Sequence, residues 1–243
     1  MEFKFNSFKN RAVDPNLTKW EKIGFPDEYR KGREYDIFLD ISNKLDLERE
    51  NKRILDIGCG CGDLVTILAK HSEAMNNELV LVDSAEMLSN IDDPIVINNN
   101  KIKLVPGRFP EELSSFIQTE KNSFDAILVY SVIQYVFLES SIFSFIHSCV
   151  DLLKPGGLLL IGDIPNISVR ERFLKSDAGL EFMKNSENST GIIQHENYER
   201  MDDSILFAIM SRFRSFNCET YLLPQNPKLP FGNRREDIII KKR

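Results

Sequence analysis

The apolar residues of the chain fall into two kinds of pattern. Short, nearly continuous apolar runs are typical of buried strands, and they predict strands at 53–57, 78–83, 102–105, 124–130 and 157–163. Segments with apolar residues at helical spacing lie between these runs, and they predict helices over 63–75, 84–91, 110–121 and 137–153. This alternation, with short connections, predicts a doubly wound α/β fold around a mostly parallel sheet.

The two ends of the chain depart from this alternation. Near the N-terminus, apolar positions at helical spacing predict a helix from about 31 to 47, and near the C-terminus they predict another over about 198–213. Two late strands, 216–224 and 236–243, have no helix between them. They predict an antiparallel hairpin. We therefore expect seven strands, with one antiparallel strand near an edge.

Composition narrows the class of protein. The formal charge is −6, from 31 Lys+Arg and 37 Asp+Glu, so the chain lacks a general attraction for nucleic acid. With no apolar run of about 18 residues, no membrane span is expected, and the start has no signal-peptide pattern. Four scattered cysteines suit a reducing, cytoplasmic location. Cys59 and Cys61 have no second Cys/His pair nearby, so no metal site is expected.

Residues 54–65 read ILDIGCGCGDLV, with Gly58, Gly60 and Gly62 at every second position where the first strand ends. Glycine weakens regular structure by about 0.5–1 kcal/mol relative to alanine. A glycine-rich turn between a strand and a helix, however, lets a nucleoside ligand approach the backbone closely. Asp83 ends the next strand, where its carboxylate can accept hydrogen bonds from both ribose hydroxyls. A cap on its own turn is the alternative role for Asp83.

The charges around this turn indicate the kind of nucleoside. Asp63 stands at the predicted helix start, where a carboxylate would repel the pyrophosphate of a dinucleotide. Asp56, inside the first strand, adds a second carboxylate. The site therefore suits a ligand that has no phosphate and carries a sulfonium and an ammonium group. Asp56 has an alternative role as a buried carboxylate that caps the turn.

Four stretches together resemble the class I S-adenosylmethionine-dependent methyltransferases across residues 50–165. They are ILDIGCGCGDL, VLVDSAEML, FDAILVYSVIQYV and LLKPGGLLLIGDIP. The resemblance implies a Rossmann-like fold, S-adenosylmethionine as the cofactor and S-adenosylhomocysteine as the product. It also implies a single domain, 1–243, whose segments are an N-terminal helical lid (1–50), a cofactor-binding core (51–165), a helical acceptor-side insertion (166–214) and a terminal hairpin (215–243). We expect segment 10–35 to close over the cofactor.

The resemblance also implies roles for individual residues. The methionine end of the cofactor would contact Asp56, Gly58, Cys59, Gly60, Tyr130 and Ser131, and the ribose would contact Asp83. Adenine would lie near Ser84, Met87, Gly107, Arg108 and Phe109. Many family members carry Asp where Arg108 stands, so we expect stacking by Arg108 or Phe109, with backbone groups binding the amino edge. Met87 as plain core and Tyr130 as packing under the sheet are the alternatives.

Methyl transfer to a hydroxyl needs a general base. The catalytic candidates are Asp163, at the end of the fifth strand, and His195, in the irregular region beyond it. The alternatives are a loop cap for Asp163 and a surface position for His195. His71 and His147 lie within predicted helices and are interpreted as structural.

The class of acceptor is narrowed by the absence of one motif and by a second, weaker family resemblance. Residues 130–135 read YSVIQY, where family members that methylate nucleic-acid bases carry an Asn/Asp-Pro-Pro-aromatic stretch. GDIPN and the basic stretch 170–176 are similar to methyltransferases of bacterial surface-polysaccharide or sugar-nucleotide pathways. The resemblance implies a small sugar-like or nucleotide-linked acceptor in carbohydrate biosynthesis, with Arg170, Arg172 and Lys175 as phosphate ligands or as a solvated helix face. A non-catalytic cofactor-binding protein and a nicotinamide oxidoreductase are the alternative functions. The sequence does not fix the oligomeric state.

Overall fold

A seven-stranded sheet forms the centre of the computed structural model, which describes residues 4–186 and 201–243. The strands are β1 (Arg53–Ile57), β2 (Glu78–Asp83), β3 (Ile102–Pro106), β4 (Phe124–Tyr130), β5 (Leu153–Pro165), β6 (Cys218–Pro224) and β7 (Arg235–Lys242). Their order across the sheet is β3-β2-β1-β4-β5-β7-β6. Only the β7 pairings are antiparallel. This confirms the predicted doubly wound, mostly parallel sheet with one reversed strand near an edge.

Helices precede the sheet, connect its strands and follow β5. They are α1 (Lys4–Val13), α2 (Lys19–Lys22), α3 (Asp27–Arg30), α4 (Glu34–Leu45), α5 (Asp63–Ala74), α6 (Ala85–Leu88), α7 (Pro94–Ile97), α8 (Ser114–Thr119), α9 (Ile133–Glu139), α10 (Ile142–Leu152), α11 (Ile167–Leu174), α12 (Asp177–Ser186) and α13 (Asp203–Arg214). Among the described residues, no helix is both long enough and apolar enough to cross a membrane.

The central strands are buried on both faces, as their continuous apolar runs predicted. On one face β1 and β4 pack under α10 and α13, around Phe124, Phe145 and Phe213. The other face packs against α4 and α5, with Ile41 and Leu68 in the core. Because β1, β2, β4 and β5 run parallel, their carboxyl ends meet at one edge of the sheet. This is the edge at which ligands bind in open α/β sheets.

The predicted helix over 137–153 is wrong in its extent. Two helices, α9 and α10, occupy this region, and the break falls at Ser140–Ser141. The Ser141 hydroxyl accepts a hydrogen bond of 3.3 Å from the Ser144 amide and so starts a new helix. The helices predicted over 84–91 and 110–121 form only as the shorter α6 and α8.

Two of the histidines lie in structural positions, as interpreted from the sequence. His71 Nε2 is 2.9 Å from the carbonyl oxygen of Leu47 and joins α5 to the residues after α4. The His147 ring lies 4.8 Å from the ring of Phe213 and 4.4 Å from that of Phe216. His147 therefore packs against α13, on the face of the sheet that carries α10.

Candidate functional site

The glycine turn after β1 answers why glycine recurs there. Gly58 and Gly60 have φ values of +75° and +67°, a region that side-chain-bearing residues rarely adopt. A Cβ atom at Gly58 would lie 2.5 Å from Cγ2 of Val132, and one at Gly60 would lie 2.7 Å from Cγ2 of Ile23. The turn therefore needs glycine both for its backbone angles and for the close approach of two neighbouring segments.

Asp83, at the end of β2, is held in place by this turn. Its Oδ2 accepts a hydrogen bond of 2.9 Å from the Gly60 amide, and its Oδ1 accepts one of 2.7 Å from the Ser84 amide. Burial raises the pKa of Asp83 to about 6, although these two hydrogen bonds oppose the rise. Each carboxylate oxygen can accept a further hydrogen bond. The Asp83 side chain is thus fixed with acceptor capacity to spare.

A cleft of about 850 Å³, its open mouth included, lies over the carboxyl ends of β1, β2 and β4. The residues predicted for the cofactor that line it are Gly58, Gly60, Asp83, Met87, Gly107, Arg108, Phe109 and Ser131. Ser84 is not among the lining residues; it is buried, and its hydroxyl accepts a hydrogen bond from the Met87 amide and caps α6. The cleft is therefore lined by the residues predicted for adenine and ribose, except Ser84. Ser84 instead caps α6, the helix that contains Met87.

One end of the cleft carries the two residues predicted to stack on adenine. Phe109 is buried and packs edge-to-face against Phe145, with ring centroids 5.3 Å apart. The Arg108 guanidinium lies 3.6 Å from the Glu111 carboxylate and 3.5 Å from that of Glu139. The Arg108 side chain is thus oriented by two carboxylates at the wall of the cleft, and adenine stacking by either residue stays a prediction.

A second cavity of about 460 Å³ lies next to the cleft and shares the glycine turn with it. Asp56, Cys59 and Tyr130, all three predicted for the methionine end of the cofactor, line this cavity. Burial, reinforced by the charge of Asp83, raises the pKa of Asp56 to about 8. Burial and the same carboxylates hold the pKa of the Cys59 thiol well above its usual range, which argues against Cys59 as a nucleophile.

Ser131 connects the N-terminal segment to the end of β5. Arg30 Nη2 donates a hydrogen bond of 2.9 Å to Ser131 Oγ, and Ser131 Oγ donates one of 2.5 Å to Asp163 Oδ2. Ser131 and Asp163 both have φ near +60°, so the ends of β4 and β5 bend to bring the two side chains together. Asp163 is therefore a positioned carboxylate at the carboxyl end of the sheet.

Asp163 also lines a third, smaller cavity of about 220 Å³. Tyr29 and Phe231 form its aromatic walls, stacked with ring centroids 5.0 Å apart. Gln225 Nε2 lies 3.4 Å from Asp163 Oδ1, and the Asp163 amide donates a 2.8 Å hydrogen bond to Asp237. Asp163 is thus a carboxylate against an aromatic wall, next to the residues predicted for the cofactor.

The N-terminal segment covers the glycine turn. Phe8 packs edge-to-face on Tyr135 with ring centroids 5.0 Å apart. Lys19 pairs with Asp63 at the start of α5, and Lys22 Nζ donates a 2.6 Å hydrogen bond to Asn90. Ile23 lies between these contacts and lines the cleft. The placement agrees with a lid, and its closure over a cofactor stays a prediction.

Two residues at the candidate site, Arg30 and Glu34, were not predicted from the sequence. Arg30 and Glu34 are both buried and both line the second cavity. Glu34 had a usable signal, since it precedes Ile37, Phe38 and Ile41 at helical spacing and so falls on the apolar face of α4. A charged residue on such a face needs a partner. His195 lies outside the described residues.

Comparison with known families and relatives supports the hypothesis that the chain contains a methyltransferase domain. Residues 55–159, somewhat less than half of the chain, match the sequence model of a family described as "Methyltransferase domain". The chain is 28% identical over 123 residues to the ubiquinone biosynthesis O-methyltransferase of Chelativorans sp. (strain BNC1), a match that covers 47% of this chain and 41% of that protein. It is 25% identical over 158 residues to the chondramide synthase of Chondromyces crocatus, covering 65% of this chain and 4% of that protein. The chain thus spans less than half of the length of either relative.

Solved structures confirm the fold. The plantazolicin methyltransferase BpumL, crystallised with S-adenosylhomocysteine, superposes with a TM-score of 0.57 at 14% identity, covering 99% of this chain and 98% of that one. A SAM-dependent methyltransferase from Aquifex aeolicus gives a TM-score of 0.57 at 13% identity, covering 93% and 99%. The seven-stranded sheet described above is therefore the Rossmann-like fold of methyltransferases.

Proposed function

We propose that the chain is a methyltransferase that uses S-adenosylmethionine and releases S-adenosylhomocysteine. The single observation that carries the proposal is the Asp83 carboxylate, held by the Gly60 and Ser84 amides at the edge of a glycine turn that opens into an 850 Å³ cleft. The match of residues 55–159 to a methyltransferase domain supports it. A diol-binding carboxylate beside bare backbone suits a nucleoside.

In this proposal the cofactor lies across both cavities. Its adenine lies between Met87 and the segment from Gly107 to Phe109, with Arg108 or Phe109 stacked on it, and its ribose hydroxyls donate to Asp83. The methionine part extends past Gly58, Cys59 and Gly60 into the second cavity, towards Asp56, Tyr130 and Ser131. The sulfonium carries positive charge, which the half-buried Asp83 carboxylate and the ionised form of the buried Asp56 both favour.

The same charges disfavour a nicotinamide dinucleotide. Asp63 stands at the N-terminus of α5, where a dinucleotide-binding fold places the pyrophosphate. Lys19 pairs with Asp63, but Lys19 lies on the N-terminal segment and belongs neither to the glycine turn nor to α5. The carboxylates of Asp63 and Asp83 beside the turn would repel a pyrophosphate that carries two negative charges. An NADH titration that gives binding, with no binding of S-adenosylhomocysteine, would reverse this preference.

Methyl transfer here is an in-line displacement at carbon. An acceptor oxygen forms the new C–O bond, the S–C bond breaks, its electron pair stays on sulfur, and the hydroxyl proton passes to a base. We assign that base to Asp163, because Ser131 positions its carboxylate next to the cofactor residues and it lines the third cavity. Orientation alone can lower such a barrier by about 7–11 kcal/mol. His195 is the second candidate.

The acceptor in this proposal is the oxygen of a small molecule. Similarity to an O-methyltransferase over 47% of the chain supports oxygen as the methylated atom. A sugar-like or nucleotide-linked acceptor rests on GDIPN and the basic stretch 170–176. Arg172 pairs with Asp203 at 2.7 Å, and Lys175 lies 3.7 Å from Glu171. These pairs favour the solvated-face interpretation of α11, so the acceptor's identity is best sought by experiment.

A screen of nucleotide sugars and phosphorylated metabolites with S-adenosylmethionine tests the function. The expected result is one acceptor that gains the mass of a methylene group while S-adenosylhomocysteine accumulates. A protein that binds S-adenosylhomocysteine but methylates none of a broad set of hydroxylated compounds would instead favour a non-catalytic cofactor-binding role. A protein that binds neither form of the cofactor would refute the proposal.

A further inference from the structure

We infer that Glu34 and Arg30 form a clamp for the amino-acid end of the cofactor, with Glu34 binding its ammonium group and Arg30 binding its carboxylate. The inference rests on the proposed function and deepens it, because neither residue belongs to the glycine turn or to the strand ends. Both lie on the N-terminal segment, at the end of α3 and at the start of α4. The clamp would make this segment part of the cofactor site.

Glu34 has an unsatisfied oxygen inside the second cavity. Its side chain is almost fully buried, with a residue exposure of 2%. Oε2 accepts a hydrogen bond from the Leu64 amide, whereas Oε1 has no hydrogen-bond partner within the described residues. A buried carboxylate oxygen without a donor is costly. Because Glu34 lines the cavity, a ligand there is the natural source of the missing donor.

The glycine turn leaves the space that such a ligand needs. A Cβ atom at Gly62 would lie 2.9 Å from Oε1 of Glu34, so the bare backbone at this position is what keeps the oxygen accessible. An ammonium group offers three N–H donors and a positive charge. It would satisfy Oε1 and neutralise the buried carboxylate at the same time. A neutral hydroxyl would satisfy only the first of these needs.

Arg30 provides the opposite charge on the same cavity. Its residue exposure is 5%, and its guanidinium lies 4.2 Å from the centroid of the Phe25 ring and 5.6 Å from that of Tyr130. The 2.9 Å hydrogen bond to Ser131 occupies one of its five N–H groups. A planar guanidinium with donors to spare is suited to a carboxylate. Aromatic packing fixes its direction.

The two side chains are held by different groups rather than by each other. Glu34 accepts from Leu64 at the start of α5, and Arg30 donates to Ser131 at the end of β4. Opposite charges that face one cavity without a direct ion pair leave a position for a zwitterion between them. With Asp56, the cavity lining carries two carboxylates and one guanidinium. With all three groups ionised the lining would carry a formal charge of −1, opposite in sign to the +1 of S-adenosylmethionine, although the pKa of about 8 keeps Asp56 largely protonated at neutral pH until a cation binds.

Three ligands separate the parts of the clamp. S-adenosylhomocysteine carries both the ammonium and the carboxylate, its decarboxylated analogue carries only the ammonium, and 5′-methylthioadenosine carries neither. Calorimetric titration of the wild type with each gives the reference affinities. The test variants are Glu34→Gln and Arg30→Gln. Glu28→Gln and Arg33→Gln are matched controls, because both residues are exposed on the same segment.

The expected losses differ between the variants. Glu34→Gln lowers the affinity for S-adenosylhomocysteine and for the decarboxylated analogue by about tenfold or more, because a charged hydrogen bond contributes roughly 1.5–3 kcal/mol. It leaves the affinity for 5′-methylthioadenosine within about twofold of the wild type. Arg30→Gln lowers the affinity for S-adenosylhomocysteine only. The two control variants bind all three ligands as the wild type does.

Each other outcome overturns the inference. Equal losses for all three ligands mean that Glu34 only caps α5 and Arg30 only braces Ser131, and unchanged affinities mean that neither residue touches the ligand. Should Glu34→Gln fail to fold, the Arg30 variant decides, since loss of S-adenosylhomocysteine binding with binding of the decarboxylated analogue retained requires a carboxylate contact.

If the wild type binds no S-adenosylhomocysteine, the proposed function fails with the clamp. If the wild type binds it and both variants match the wild type, the clamp alone fails.

Discussion

The Asp83 carboxylate accepts a 2.9 Å hydrogen bond from the Gly60 amide, which joins the end of β2 to the glycine turn after β1. Gly60 has φ = +67° within this turn, and its amide faces the Asp83 carboxylate. The pair therefore fixes the Asp83 side chain before any ligand arrives. Preorganisation of this kind raises affinity because less conformational entropy is lost on binding.

Removing the Asp83 carboxylate should weaken cofactor binding. Asp83→Ala loses the acceptor proposed for the ribose hydroxyls, and we expect the dissociation constant for S-adenosylhomocysteine to rise by about ten- to a hundredfold. Isothermal calorimetry measures it, with thermal unfolding as a check on folding. Asp92→Ala, an exposed carboxylate in the segment after α6, is the control. An unchanged dissociation constant would refute the ribose assignment.

Alanine at Gly58 should destabilise the protein more than alanine at Gly156. Both glycines have positive φ, +75° and +82°, so both substitutions carry the same kind of backbone strain. A Cβ at Gly58 would additionally overlap Val132, whereas one at Gly156 meets open space. We expect Gly58→Ala to cost about 1–3 kcal/mol more in the free energy of unfolding, measured by urea denaturation. Equal losses would show that Val132 moves aside at no cost.

The buried Asp56 should make the ligand-free protein less stable as pH rises. Its folded pKa of about 8 lies above the ordinary aspartate value of 3.8, so its contribution to stability is complete below about pH 4 and is lost as pH approaches 8. Asp83, with a pKa of about 6, contributes the same trend at lower pH. Between pH 6 and 8 we expect the wild type to lose up to about 1.4 kcal/mol per pH unit relative to Asp56→Asn.

Urea denaturation of both proteins at half-unit pH intervals measures this difference. Asn at position 56 stays neutral throughout, so the common titrations of the unfolded chain cancel between the two proteins. Stability curves that run parallel between pH 6 and 8 would mean that Asp56 is already ionised in the folded protein.

Cofactor binding should protect the N-terminal segment from trypsin. Lys19, Lys22 and Lys31 offer cleavage sites within segment 10–35, and cleavage there requires local opening. A ligand that binds only the closed segment makes opening less favourable, by an amount that grows with ligand concentration. We expect slower cleavage with S-adenosylhomocysteine, followed by mass spectrometry. Cleavage at the exposed Lys175, directly after α11, serves as the internal control. Unchanged cleavage of residues 1–35 would count against a lid.

Replacing Asp163 should slow methyl transfer without weakening cofactor binding. Asp163→Asn keeps the shape of the side chain but cannot take a proton, and the loss of a general base lowers the rate by about 10²–10⁴-fold. Single-turnover kinetics with the acceptor found by the screen measures the rate. Asp177→Asn, exposed on α12, is the control. A wild-type rate in Asp163→Asn would move the base assignment to His195.

The sequence by itself determined the sheet and its ligand-binding edge. Apolar runs such as 78–83 and 124–130 can be buried only in a sheet that is covered on both faces, and the structure places them in its centre. Gly58, Gly60 and Asp83 were identifiable because backbone angles and strand ends are local properties that leave local signatures. The helix over 137–153 failed because a serine cap, a side-chain detail, outweighed the apolar periodicity.

Only the tertiary structure decided which distant side chains face the proposed cofactor site. Arg30 and Ser131 are 101 positions apart and meet through a single hydrogen bond, and Glu34 reaches the Leu64 amide from another helix. No periodicity encodes such meetings, because they depend on how the N-terminal segment packs over the sheet edge. Burial then sets the chemistry, since the desolvation that raises the pKa of Asp56 and of Glu34 exists only once these residues are enclosed.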